Sequence, residues 1–74
     1  MNQNNIGRSG LRAARKLKAV TQQRVADDIG VSEATIRNLE SKRANPSFEL
    51  VIKLSLYFET SFEKLWKEDI DSHS

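Results

Sequence analysis

The sequence predicts an all-α fold of five short helices, and three observations carry that reading. No stretch alternates apolar and polar residues with a strand's period of two, apolar residues recur three and four apart in five segments, and each segment is bounded by cap or turn residues. The first helix is expected from Ser9 or Gly10 to Ala19, with Leu11, Ala14 and Leu17 or Lys18 on a narrow stripe. Thr21 caps the second, which places Val25, Ala26 and Ile29 inward and stops at Gly30, the residue best able to take a positive φ past a helix end. Ser32 caps the third, which runs to about Ser41 with Ile36 and Leu39 turned inward. Pro46 disfavours helix at Asn45, and Ser47 caps the fourth, where Phe48, Val51, Leu54, Ser55 and Phe58 recur at helical spacing. Ser61 opens a last short helix carrying Phe62, Leu65 and Trp66. The domain is expected over 9–70, preceded by a flexible N-terminal arm (1–8) and followed by a frayed tail (71–74).

Composition narrows the function. With 74 residues, no cysteine and one histidine, the chain has room for one core and no thiolate or His-cluster metal site. It has no nucleophile–base pair and no glycine-rich phosphate loop, so neither an enzyme nor a cofactor is expected. The stretch Leu54 to Phe58 is far short of the ~20 apolar residues that span a bilayer, and the polar start MNQNNIG is unlike a secretory signal. A cytoplasmic location without membrane attachment is the expectation. A domain this small buries only about 60% of its unfolded surface, so self-association would add needed burial. Net charge is +2, but residues 1–20 hold five basic side chains and no acid, whereas 44–74 hold three lysines against six acids. A basic N-terminal third suits a polyanionic partner.

The most informative stretch runs from Gln22 to Leu39. Two helices that cross steeply through a tight turn need a small residue where their backbones meet, and Ala26 supplies it; Gly30, four residues on, turns the chain. Val25, Val31, Ile36 and Leu39 clamp the corner from both sides. With Arg15, Val20-Thr21-Gln22, Gly30-Val31-Ser32, Leu39-Glu40, Pro46-Ser47 and the closing Phe62, Leu65 and Trp66, the chain resembles the Cro and phage-repressor class of helix-turn-helix domains, the lambda-repressor-like XRE family, over about residues 10–67.

That resemblance implies sequence-specific binding of double-stranded DNA by a homodimeric transcriptional regulator, a repressor, whose recognition helix (32–41) enters the major groove. By residue-for-residue match, Glu33, Ala34 and Asn38 take base-reading positions, and Arg37 takes one that touches phosphate or base. Arginine grips guanine O6 and N7 bidentately, and asparagine pairs with adenine N6 and N7. Ala34 offers only a methyl, and Glu33 either accepts from cytosine N4 or complements the positive end of its helix. Gln22, in the first turn of the second helix, is the phosphate anchor the family uses, joined by Thr21, Thr35, Lys42 and Arg43, with Arg8, Arg12 and Lys16 as weaker candidates. Lys42 stands where the family commonly has glycine, which forces a lysine into a left-handed helix end. Arg15 and Glu40 are expected to form a salt bridge between the first and third helices. Leu50, Leu56, Tyr57 and Trp66 lack clear places in so small a core and are the candidate dimer interface. The alternative is an antitoxin-like module of the same fold that binds a partner protein.

Overall fold

The computed structural model describes residues 7–71, in which six helices run in the order α1 (Ser9–Lys18), α2 (Gln22–Ile29), α3 (Glu33–Glu40), α4 (Phe48–Phe58), α5 (Phe62–Leu65) and α6 (Lys67–Asp71). Four begin at a hydroxyl cap. Thr21, Ser32, Ser47 and Ser61 each accept the N–H three residues on, at 3.0 to 3.3 Å, which meets one orphan donor of the first turn and stabilises each helix by about 1 kcal/mol. The first helix lacks such a cap. Glu68 on α6 takes that role from the other end of the chain, accepting the Ser9 N–H at 3.0 Å and the Ser9 hydroxyl.

Left-handed residues end α1, α2 and α4: Ala19, Gly30 and Glu59. At Gly30 (φ 82°) the next amide, of Val31, returns to Ala26 O at 3.0 Å, which closes the tight corner between α2 and α3. One core lies under that corner. Leu11, Val25, Ala26, Ile36, Leu39, Leu54, Leu65 and Trp66 are all buried, and Val51, Phe58, Leu50 and Tyr57 pack partly against them.

Several expectations change at this level. A sixth helix continues past Trp66, so Asp71 is helical rather than frayed; residues 72–74 lie outside the described residues. Gly7 and Arg8, expected in the flexible arm, are buried against the domain; residues 1–6 lie outside the described residues. Trp66 is 2% exposed, which removes it from any interface and makes it part of the core. On α1 neither alternative for the third stripe position is buried: Leu17 is 90% exposed, and Lys18, two full turns after Leu11, is exposed as well. Lys18 lays its ammonium 5.0 Å from the Tyr57 ring centroid. Phe48, expected to share the inner face of α4, is 81% exposed.

Candidate nucleic-acid interface

The corner presents α3 with Ile36, Leu39 and Glu40 buried and the opposite side turned out. Glu33, Ala34, Arg37 and Asn38 lie on that outer side, half-buried except for Arg37, which is exposed. Glu33 and Arg37 form an ion pair one turn apart. Thr35 shares a hydrogen bond with its own cap, Ser32 Oγ to Thr35 Oγ1 at 2.9 Å, so its hydroxyl is already oriented by the helix start. The Asn38 carbonyl accepts the Arg43 and Ala44 amides at 2.9 and 3.3 Å, folding the chain tightly after α3. Within that fold Lys42 has φ 66°, the left-handed conformation expected of it, at a cost of about 1 kcal/mol for a non-glycine residue. Lys42 and Arg43 stand exposed beside the C-terminal end of α3.

Glu40 is the hub behind this face. It is 4% exposed, and its carboxylate accepts Arg15 Nε at 2.6 Å, Arg15 Nη2 at 3.2 Å and Gln22 Nε2 at 3.0 Å. One carboxylate thus ties α1 and the first turn of α2 to the end of α3. Gln22 keeps its place at the start of α2 with its amide nitrogen committed to Glu40. Thr21 is occupied as the cap of the same helix.

The weaker basic candidates divide. Lys16 is exposed, whereas Arg12 Nη1 donates to Glu40 O at 3.0 Å. Arg8 is fully buried and so cannot touch an external phosphate; its guanidinium is consumed by Asp69, Leu39 O and Ala44 O, which corrects its assignment as a DNA contact. Sequence reasoning missed this role because the partners lie 31 to 61 residues away and no local pattern marks them.

The remaining interface candidates also sort by burial. Tyr57 is half-buried, and its hydroxyl donates to Asp28 Oδ2 at 2.6 Å. Burial and then that carboxylate push the Tyr57 phenol up, while the same hydrogen bond and Arg24 hold Asp28 below the usual carboxylate range. Leu50 packs against the core. Only Leu56 of the original set is exposed, at 73%, in a groove with Phe48, Ile52 and Phe62.

Among the described residues no helix is long and apolar enough to cross a membrane, and no cluster of His, Cys, Asp or Glu is arranged to hold a metal. Neither curated proteins nor solved structures give a match to this chain. A family model described as helix-turn-helix matches residues 11–65, from Leu11 at the base of α1 to the end of α5, which includes the whole α2–turn–α3 corner. The chain therefore belongs to the XRE and lambda-repressor-like helix-turn-helix family, a family of DNA-binding regulators rather than enzymes.

Proposed function

We propose that this chain binds a short, near-palindromic DNA operator as a homodimer and represses transcription, with residues 32–41 in the major groove. The observation that carries the reading is the outward face of α3, where Arg37 is exposed and Asn38 half-buried on the side opposite the core that the rest of the helix helps to build. Arg37 and Asn38 read bases, Ala34 contacts a thymine methyl, and Glu33 tunes Arg37 from one turn below. The start of α2 at Thr21 and Gln22, together with Thr35, Lys42 and Arg43, holds the phosphate backbone.

The proposed dimer uses the stripe Phe48, Ile52 and Leu56 with Phe62, which retains Leu56 of the interface expected from sequence. These four side chains expose apolar area on the order of 400 Å², a contiguous patch at the upper end of what a small monomer tolerates. A second copy suits it because Glu49 and Lys53, an ion pair flanking the stripe, offer opposite charges that can exchange partners across a two-fold axis.

One observation favours a second reading, an antitoxin-like module that binds a protein: the ion pair with Glu33 neutralises the principal reading side chain. Selection of bound sequences from a randomised duplex pool separates the two. A two-fold motif with half-sites about one helical turn apart supports the regulator. No enrichment, with only weak salt-sensitive binding, sinks it in favour of the protein partner.

A further inference from the structure

The family match ends at residues 11 and 65, yet the turn that follows α3 is held from behind by residues on either side of that span. Arg8 donates its backbone N–H to Glu40 O at 2.7 Å, and its Nη1 bridges Leu39 O at 2.7 Å and Ala44 O at 2.8 Å. Those two carbonyls flank the turn that carries Lys42 and Arg43. One guanidinium nitrogen thus pins both ends of a turn whose central lysine sits in a disfavoured left-handed conformation. Asp69 on α6 orients the fork, accepting Nε at 2.9 Å and Nη2 at 3.0 Å, while the Trp66 ring lies 5.6 Å from the guanidinium carbon. The approach is tight: a Cβ on Gly7 would fall 2.2 Å from Glu40 O.

We infer that Arg8, oriented by Asp69, is a positioning residue for DNA binding, which fixes the Lys42–Arg43 turn so that both basic side chains meet the phosphate backbone together. This rests on the DNA reading above. Lysine cannot replace the arginine, because a single ammonium cannot bridge two carbonyls and hold a carboxylate in one plane. Affinity for duplex then depends on two segments outside the matched domain.

The sign of one substitution separates this from simple electrostatics. Asp69 lies within electrostatic reach of Lys42, so removing its charge without moving the turn should tighten DNA binding, whereas loosening the turn should weaken it. The test measures affinity of the full chain for a short generic duplex over a salt series, with thermal unfolding in parallel, for wild type, Asp69→Asn and Arg8→Lys. Each is repeated in a Lys42→Ala/Arg43→Ala background. The expected result is a loss of about fivefold or more for Asp69→Asn, a salt slope shallower by about one as a phosphate contact is lost, and no further loss in the double-alanine background. Arg8→Lys should behave alike, and it carries the test if Asp69→Asn does not fold. Unchanged or tighter binding overturns the inference, as does an equal loss in both backgrounds that follows the drop in melting temperature. A wild-type chain that does not bind duplex at all removes the DNA reading itself; one that binds with no effect of Asp69 or Arg8 removes only the positioning role.

Discussion

Glu33 and Arg37 hold each other across one turn of α3, on the side facing away from the core. An exposed pair at this spacing is worth only about 0.3 to 0.5 kcal/mol, so it steers the arginine without locking it. A phosphate or a guanine edge can take the guanidinium from the carboxylate, but the acid left behind then faces the anionic groove.

Relieving that conflict should strengthen binding. Glu33→Gln is expected to tighten association with duplex DNA by about three- to tenfold at low salt, with the gain fading as screening increases. Fluorescence anisotropy titrations at several salt concentrations measure it, and weaker binding would show that Glu33 accepts from a base.

Arg37→Ala should cost about 1 to 3 kcal/mol on a selected operator and relax one base preference, whereas Gln22→Ala should weaken selected and scrambled duplexes alike. Equal losses on both duplexes for Arg37→Ala would take that residue out of base reading.

The hub at Glu40 makes a stability prediction. Arg15→Ala leaves a buried carboxylate with only the Gln22 amide against its charge and should lower unfolding free energy by about 3 kcal/mol. Loss of Arg24, whose pairing with Asp28 is exposed, should leave the denaturant midpoint nearly unchanged. Comparable losses would mean that burial does not separate the two pairs.

Acid should weaken the tie between the termini. The hydrogen bond from Arg8 holds the Asp69 carboxyl below its ordinary range; for Glu68, burial pushes upward, but the Ser9 hydroxyl and amide outweigh it and the net shift is down. Because both are lower folded than unfolded, their stabilisation is complete above the ordinary carboxylate range and disappears as pH falls below that range through the folded values. Urea unfolding of wild type and Asp69→Asn should therefore differ most near neutrality and converge at low pH. A gap independent of pH would contradict the assignment.

Leu56→Glu should turn the proposed dimer into a monomer in sedimentation equilibrium while leaving the helical circular dichroism intact, since Leu56 is exposed. A wild-type chain that is already monomeric and still selects a two-fold motif would move the interface elsewhere.

What the sequence made legible was local chemistry. The hydroxyl caps at Thr21, Ser32, Ser47 and Ser61, the stop at Gly30 and the awkward backbone at Lys42 depend on neighbours a few residues away, and the side chains name them directly. Periodicity likewise tells which residues share a helix face, which is how Ile36 and Leu39 were separated from Arg37 and Asn38. It does not tell which face acquires a neighbour. Phe48 keeps step with Val51 and Phe58 yet has nothing above it, and Trp66, surplus on paper, is enclosed. Arg8 and α6 were out of reach for the same reason, since each finds its partner, Arg8 with Asp69, 61 residues away.

The junction between Arg8 and Asp69 also bears on time. Bringing together groups 61 residues apart requires nearly the whole chain to be placed first, so this contact is expected late in folding, after the local turns have formed. Interactions absent from the transition state govern how fast the native state opens rather than how fast it forms. Weakening the junction should thus leave the refolding rate almost untouched and accelerate unfolding, shortening the life of each folded molecule.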